Sequence, residues 1–411
     1  MVVVLREAHH RGMADLATAY DPFAPSFHED PYPALAQLRE EAPMHRTPVG
    51  IYVLTRHEDV FALLRDRRLG RDIPGHLVEL AAGTGPMAEF FVSNLLNKEP
   101  PDHTRLRKLM VLPFTPKLIR DLRASIDVLV ADLLDEAGDE QIDVVRDLGA
   151  ILPVQVICEL LGLPPEDRER IRPWASALAD ASTVFPTPEA KAAADVALES
   201  FRTYLERVLP RVKAHGTGLL AKLALAEADG DRLNHNELII NSILLFFAGF
   251  ETTTNLIGNG VLALLRFPDE QRRLRDNPHL LPLAVDELLR YDSPVQSALR
   301  YTHDEVDVPS GTIKRNRVIE LSLAGANRDP RAFADADRLD VGREDNPHVA
   351  FGSGIHFCLG AHLARLEGEI AFGRLLSRYH SIELAGEPVR KAAPSIRGLD
   401  SLPVVVQRSA A

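Results

Sequence analysis

Residues 351–367 read FGSGIHFCLGAHLARLE, a glycine-rich loop that runs into the start of an evident helix. Cys358 lies at the end of this loop, where unpaired backbone amides and the positive end of the helix dipole favour a thiolate. The glycines allow the backbone to fold tightly and let a large planar ligand approach it closely. The pattern therefore predicts a thiolate ligand on a loop that carries little side-chain bulk.

Two other interpretations of Cys358 remain open on the residues alone. A lone cysteine is usually a small buried hydrophobe, and this is what we predict for Cys158 inside the apolar run Val154–Leu161. Cys358 could instead be a nucleophile that uses His356 or His362 as its base. However, His356 is only two residues away in a tight loop, and no oxyanion-hole motif is apparent in the sequence.

A long helix is predicted in the middle of the chain. Asn234 and Glu237 form a capping-box-like pair, and the apolar periodicity that follows continues to Arg266. At 1.5 Å per residue this gives a helix of roughly 48 Å, long enough to cross the molecule. Its centre, residues 248–253, reads AGFETT, in which the glycine costs about 1 kcal/mol relative to alanine. The segment is either a tolerated kink or a place where the helix opens for a ligand and bonds water.

The rest of the chain predicts a mainly α fold with small β-sheets attached. Strand patterns occur at 51–55, 306–308, 317–322 and 403–407, and helical patterns dominate elsewhere. Residues 72–97 mix turn-forming and apolar residues, as expected of a long functional loop. The chain has 411 residues and no Ser/Gly-rich linker between two halves. We therefore predict one domain over residues 21–411, preceded by a flexible N-terminal extension at 1–20.

Charge and cysteine content exclude several classes of protein. The net charge of −12 argues against a general nucleic-acid binder and against a protein that binds anionic membranes. The longest uncharged apolar stretch, Leu238–Phe250, is well short of the ~20 residues that a membrane-spanning helix needs. Two cysteines cannot build a disulfide framework. We expect a soluble, cytoplasmic protein.

Four segments together resemble the cytochrome P450 superfamily. The Cys358 stretch fills every fixed position of the haem-binding signature FGxGxHxCxG of bacterial members. In family order, residues 103–107 (HTRLR) resemble the haem-propionate segment HxxxR, residues 248–253 resemble the oxygen-activation motif, and residues 287–290 (ELLR) match ExxR. ExxR alone would carry little weight, but four matches in order are specific. The chain is identified as a member of the superfamily, most similar to its soluble actinobacterial-type enzymes.

This resemblance implies a haem b bound between the long central helix and the cysteine loop. Cys358 would be the axial thiolate ligand of the iron. The other residues at the family's haem-contacting positions are His103, Arg107, Arg300 and His356 for the propionates, Phe351, Gly352 and Gly360 around the ligand loop, and Ala248 and Gly249 on the central helix.

The resemblance also assigns a proton-delivery pair and a structural ion pair. Thr252 would hold the water that donates protons during oxygen activation, and Glu251 would relay them from solvent. Many relatives have Asp where Glu251 stands; the substitution keeps the acid but lengthens its side chain. Glu287 and Arg290 would pair beneath the haem; we expect Arg338 to complete their network, with Arg343 close enough to be the alternative.

The predicted substrate is a medium-to-large apolar metabolite, plausibly of secondary metabolism, that the enzyme hydroxylates or epoxidises. Family position places Leu244, Phe247, Val295 and Gln296 around it, with further contacts from 72–97, 163–190 and 397–399. The alternatives are oxidative coupling, desaturation or peroxide-driven oxidation in the same fold. A non-catalytic haem sensor and a haem-free cysteine hydrolase are rivals from other classes.

Electrons would come from NAD(P)H through a separate reductase and an acidic ferredoxin, and dioxygen would be the co-substrate of a monomeric enzyme. Arg105, Lys108 and Arg365 are predicted to form a local positive patch for this ferredoxin beside the cysteine loop. The alternative interpretation of these residues is an ordinary solvated basic face.

Overall fold

The computed structural model describes residues 20–408 apart from 113, 182–185, 217, 229 and 394. The extension predicted at 1–20 thus lies, except for Tyr20, outside the described residues. The helices in chain order are α1 Pro25–Glu29, α2 Tyr32–Glu41, α3 His57–Leu63, α4 Gly75–Ala82, α5 Pro86–Ser93, α6 Asp102–Val111, α7 Pro116–Asp121, α8 Arg123–Ala137, α9 Leu152–Leu161, α10 Arg168–Ala181, α11 Pro188–His215, α12 Leu219–Leu225, α13 His235–Arg266, α14 Pro268–Asp276, α15 Leu281–Tyr291, α16 Leu323–Asn327 and α17 Ala361–Arg378.

Short strands form small sheets at the margin of the helices, as the sequence predicts. They are β1 Met44–Arg46, β2 Tyr52–Leu54, β3 Leu69–Gly70, β4 Gln141–Asp143, β5 Glu227–Ala228, β6 Asp231–Arg232, β7 Ser297–Thr302, β8 Val306–Val308, β9 Gly311–Ile313, β10 Val318–Ser322, β11 Tyr379–Leu384, β12 Val389–Arg390, β13 Leu399–Ser401 and β14 Pro403–Arg408. The largest sheet has the order β1-β2-β10-β7-β3. In it β2 and β10 are parallel, and the other neighbours are antiparallel.

Helix α13 is the long central helix that the sequence predicts, and the structure confirms it. The Asn234 side chain accepts a hydrogen bond from the Glu237 amide and the Glu237 carboxylate accepts one from the Asn234 amide, both at 2.9 Å, so the capping box is complete. The helix runs for 32 residues without a break. It therefore does not open at its centre, since the helical pattern continues through residues 248–253. The hydroxyl of Thr252 donates to the carbonyl of Ala248 at 2.7 Å.

Glycines set how closely α13, α15 and α17 pack. A Cβ atom on Gly260 of α13 would lie 2.5 Å from the ring of Phe372 on α17, which is itself buried. A Cβ on Gly368 of α17 would lie 3.2 Å from Val285 of α15. The lack of a side chain at Gly260 and Gly368 thus allows these three helices to pack closely. They carry the central motif, the ExxR segment and the residues that follow the cysteine loop.

None of the helices among the described residues is both long and apolar enough to span a membrane.

Candidate active site

A cavity of about 1100 Å³ lies between α13 and the cysteine loop. It brings together residues that are up to 350 positions apart in the sequence, between Arg46 and Ile396. The predicted site residues that line it are His103, Arg107, Leu244, Phe247, Ala248, Gly249, Glu251, Thr252, Val295, Arg300, Phe351, Gly352, His356, Cys358 and Gly360.

Gln296 is the predicted pocket residue that does not line this cavity. Its side chain is buried and its Nε2 donates to the carbonyl of Ser293 at 2.6 Å. The prediction was wrong because the Gln296 side chain is directed to the Ser293 carbonyl rather than into the cavity.

The cysteine loop is shaped by its glycines. Gly352 and Gly354 adopt φ angles of 68° and 69°, in the left-handed region that favours glycine, and a Cβ on Gly354 would lie 2.7 Å from the carbonyl oxygen of Leu64. The amide of Cys358 donates to the carbonyl of Phe351 at 3.0 Å, which closes the loop. Gly360 at the start of α17 has open space where its side chain would be.

Burial raises the pKa of the Cys358 thiol above its ordinary value, although the Gly360 amide and the guanidiniums of Arg107 and Arg365 act in the opposite direction. The helix N-terminus that was predicted to favour the thiolate is therefore present, but its effect on the pKa of Cys358 is smaller than the effect of burial. A bound metal cation reverses this balance, since a coordinating thiol is deprotonated.

Imidazole and guanidinium groups border the cavity beside the loop. The rings of His103 and His356 are 4.6 Å apart, and burial, with the charges of His356 and Arg107, lowers the pKa of His103 to about 4. The Nε2 atom of His103 is buried and has no hydrogen-bond partner among the described residues. His356 Nε2 lies 2.9 Å from Glu99 Oε1, and Arg107 donates to the carbonyl of Phe357 at 2.7 Å.

Arg71 joins this group, although no sequence motif pointed to it. It lines the cavity, and its own amide donates to Glu99 at 2.8 Å. Burial lowers the pKa of Arg71 to about 9 and that of Arg300 to about 10, and the charge of Arg300 contributes to the lower value of Arg71. Two desolvated guanidiniums with one shared carboxylate leave this corner of the cavity short of negative charge.

A haem fits these observations. Its two propionates would supply the missing negative charge at Arg71, Arg300 and the orphaned His103 nitrogen. The bare backbone at Gly360 leaves room for a porphyrin face, and the thiol of Cys358 supplies a soft ligand for iron.

Glu251 and Thr252 face the cavity from the middle of α13, but they differ in their surroundings. Glu251 is only 4% exposed, and its carboxylate accepts hydrogen bonds from Lys391 and from Asn255, the latter at 3.2 Å. Lys391 directly follows β12 and is partly exposed. Lys391 was not foreseen, because its contact with Glu251 spans 140 residues and leaves no local pattern.

The buried ion-pair network differs from the prediction in its third member. Glu287 accepts two bonds from Arg290, at 2.7 and 2.8 Å, and a third at 3.0 Å from Arg343. Arg338 was the wrong choice: its side chain is 64% exposed, and it contributes only its backbone carbonyl, 3.1 Å from Arg290 Nη2. Arg343 is 11% exposed and turns inward.

The predicted positive patch is largely neutralised. Arg105 pairs with Asp231 and Glu237, and Arg365 pairs with Asp286 at 2.7 Å while its guanidinium lies over the ring of Phe351. Two of the three predicted cations are therefore compensated by carboxylates that lie far away in the sequence.

Comparisons with known proteins agree with this site. Residues 188–395 match the family model described as Cytochrome P450. The chain is 38% identical over 407 residues to the polyketide biosynthesis cytochrome P450 PksS of Bacillus subtilis strain 168, covering 95% of this chain and 99% of that protein. The solved structure of PksS superposes with a TM-score of 0.86 at 37% identity, covering 95% of this chain and 100% of that one.

The names of two further similar proteins mention other molecules. The vitamin D(3) 25-hydroxylase of Pseudonocardia autotrophica is 41% identical over 399 residues, which are 94% of this chain and 96% of that protein. The structure of P450BioI in complex with a hexadec-9Z-enoic acid ligated acyl carrier protein superposes with a TM-score of 0.87 at 32% identity, covering 93% and 99% of the two chains.

The extent of these matches, together with a cysteine loop and central helix that enclose a haem-sized cavity, shows that the chain belongs to the cytochrome P450 family and is a monooxygenase whose haem is held by a cysteine thiolate.

Proposed function

We propose that Cys358 is the axial haem ligand and that the enzyme oxidises a medium-to-large apolar metabolite of secondary metabolism with electrons from a ferredoxin. When bound through a thiolate, haem activates dioxygen and supports insertion of one oxygen atom into an organic substrate. The observation that carries the assignment is the position of Cys358, the one cysteine of the described chain that lines the cavity. The other cysteine, Cys158, is fully buried in α9, and burial raises the pKa of its thiol to about 12.

The neighbouring residues would hold the haem through its propionates. His103 would donate from the nitrogen that now lacks a partner, and Arg71, Arg107, Arg300 and His356 would provide charge and hydrogen bonds. Phe351 would pack against the ligand loop, while Gly352 and Gly360 keep the backbone bare on the side of the cofactor.

Thr252 and Glu251 would move protons to the oxygen-binding side of the cavity. The hydroxyl of Thr252 bonds the Ala248 carbonyl and retains its lone pairs for a water molecule. Glu251 connects the cavity to the partly exposed Lys391. This arrangement supports a relay from the surface through the carboxylate to the hydroxyl.

The walls around the reacting end favour an apolar substrate. Leu244, Phe247 and Val295 line the cavity there, with Met87 and Phe90 of α5 opposite. Relatives that carry polyketide or hydroxylase names are consistent with a large hydrocarbon-rich substrate. Hydroxylation or epoxidation is the reaction we propose.

A separate ferredoxin would deliver the electrons. The chain has two cysteines, too few to hold an iron–sulfur cluster of its own. Since Arg105 and Arg365 are paired with carboxylates, we do not assign the docking surface to them. Turnover reconstituted with a reductase and an acidic ferredoxin, compared with a reductase alone, tests this part of the proposal; equal rates without ferredoxin would contradict it.

The experiment that tests the haem ligand is the spectrum of the reduced, carbon-monoxide-bound protein. The native enzyme should show the strongly red-shifted Soret band of thiolate ligation, and Cys358→Ser should lose it because a hydroxyl is a much weaker electron donor. Cys158→Ser is the matched control and should keep the band. An unchanged spectrum in Cys358→Ser, or a colourless native protein, would overturn the proposal.

A further inference from the structure

Arginines line one face of the five-stranded sheet. In its register Arg46 of β1 is opposite Tyr52 of β2, Tyr52 is beside Ile319 of β10, and Ile319 is opposite Arg300 of β7. Residues at paired positions share a face of the sheet. Arg46 and Arg300 therefore lie on the same face, at opposite ends of one row.

Arg317 lies on this face as well. Its carbonyl accepts from the amide of Thr302 at 2.9 Å, so the ladder between β7 and β10 continues to it. It precedes Ile319 by two residues, and side chains two apart in a strand point to the same side. Arg46, Arg300 and Arg317 all line the cavity.

The cavity holds more cationic than anionic side chains. Five arginines line it, against the carboxylates of Glu251 and Glu367. Glu251 is already paired with Lys391. Glu367 is fully buried and has no cationic partner among the described residues, and burial raises its pKa well above the ordinary value.

The three inner arginines are compensated once the cofactor is bound. Arg71, Arg107 and Arg300 would share the two propionates of a bound haem, and Glu99, which accepts from the Arg71 amide and lies beside His356, would supply a third negative charge. Arg46 and Arg317, the two outer arginines, have no such compensation. Neither Arg46 nor Arg317 has a carboxylate within 4.0 Å among the described residues, and the guanidinium of Arg46 lies over the ring of Tyr52, 5.8 Å from its centroid.

Arg46, on the edge strand, also lies far from Arg300 and is followed by a hydrogen-bonded turn. Three strand spacings of about 4.8 Å separate Arg46 from Arg300, or roughly 14 Å. Arg46 precedes a turn closed by bonds from the Gly50 amide to the Thr47 carbonyl at 2.9 Å and from the Ile51 amide to the Thr47 hydroxyl at 3.0 Å. Arg46 and Arg317 are both exposed, so their guanidiniums border the cavity where it meets solvent.

We propose that Arg46 and Arg317 form an anion-binding subsite for the substrate, which is an extended apolar chain ending in a carboxylate or phosphate. This inference rests on the proposed function, because the chain must reach from the haem end of the cavity to the sheet. It narrows the substrate class: a neutral macrocycle or sterol would leave both guanidiniums without a counter-charge. A free carboxylic acid and a phosphate ester are the two sources of the same anionic chemistry.

The test measures binding of matched ligands to the haem-loaded enzyme by equilibrium dialysis. The ligands are n-alkanoic acids, alkyl phosphates and primary alkanols, each of ten to sixteen carbons. At low salt, anionic ligands should bind about tenfold tighter than the alkanol of equal length, because each exposed ion pair contributes at most about 1 kcal/mol. The preference should shrink as salt rises. Tighter binding of the acid or of the phosphate identifies the source.

Variants separate this subsite from general charge effects. The double variant Arg46→Met/Arg317→Met should bind acid and alkanol equally, and each single variant should lose part of the preference. Arg315→Met removes the same charge from an exposed neighbouring residue that does not line the cavity, and should retain it. The reduced carbon-monoxide spectrum should be the same in all of them.

Three results would overturn the subsite: equal binding of acids, phosphates and alkanols by the native enzyme; equal loss in Arg315→Met and the double variant; or no binding of any anionic ligand in the series. None of these would affect the proposed haem ligation, which is tested separately by the carbon-monoxide spectra of the native protein and of Cys358→Ser.

Discussion

Replacing Arg343 by methionine removes the third partner of the fully buried carboxylate of Glu287. Removing one partner of a buried ion pair typically costs 3–5 kcal/mol, because the other charge remains in a desolvated place. Here Glu287 keeps both bonds from Arg290 and one from the Asp340 amide at 2.9 Å. We therefore expect Arg343→Met to lower the free energy of unfolding by about 2 kcal/mol, below that range. Arg338→Met should change it by less than about 0.5 kcal/mol, since that side chain is 64% exposed.

The assay is urea unfolding of the haem-loaded enzyme followed by far-ultraviolet circular dichroism, with the two variants measured beside the native protein. In thermal melts the same loss corresponds to a shift of only about 2 °C, because the unfolding entropy of a chain this long is large. Equal losses in both variants, or a loss confined to Arg338→Met, would refute the assignment of Arg343 to the network.

Three other predictions concern the relay and the dependence of stability on pH. Thr252→Ala should release several times more hydrogen peroxide per NAD(P)H consumed while haem content is unchanged. Thr254→Ala, at a position that does not line the cavity, is the control and should leave this ratio unchanged. An unchanged ratio in Thr252→Ala would show that Thr252 is not part of the relay. Lys391→Met leaves the buried carboxylate of Glu251 without its cation and should lower the free energy of unfolding by about 2–4 kcal/mol. The double variant Lys391→Met/Glu251→Gln should recover most of this loss. If it does not, the two side chains are not energetically coupled. Burial alone would raise the pKa of Asp292, but neighbouring arginines more than offset this effect, so the pKa is lowered. The carboxylate therefore stabilises the fold at neutral pH, and this contribution is lost as the pH falls below the pKa of the unfolded state, about 4. In that range the unfolding free energy of Asp292→Asn should fall less steeply with pH than that of the native enzyme, and parallel profiles would contradict this.

The features predicted correctly from the sequence are set by neighbouring residues. The capping box of α13 needs only Asn234 and a glutamate three positions later, and the cysteine loop needs glycines at fixed positions around Cys358. Both signals are complete within a few residues. The position of each element could be predicted because its cause is local.

What the sequence did not reveal depends on contacts across the fold. Arg338 and Arg343 are five residues apart in a segment without regular structure, so no periodicity says which side chain turns inward. Lys391 and Arg71 join the site through partners far away in the chain. The charge of Arg365 could be read from the sequence, but its compensation by Asp286 on α15 could not.

The close packing at Gly260 and Gly368 has a consequence for how this enzyme could acquire new substrates. Because the ring of Phe372 occupies the space beside Gly260, the helix above the haem and the helix behind the thiolate are held at one separation. Laboratory evolution of substrate range should therefore accumulate its changes on the opposite wall, in the short helices α4 and α5, where Leu77 and Phe91 line the cavity. A larger residue at Gly260 would instead increase the separation of the two helices and disturb cofactor binding without first making room for a larger substrate.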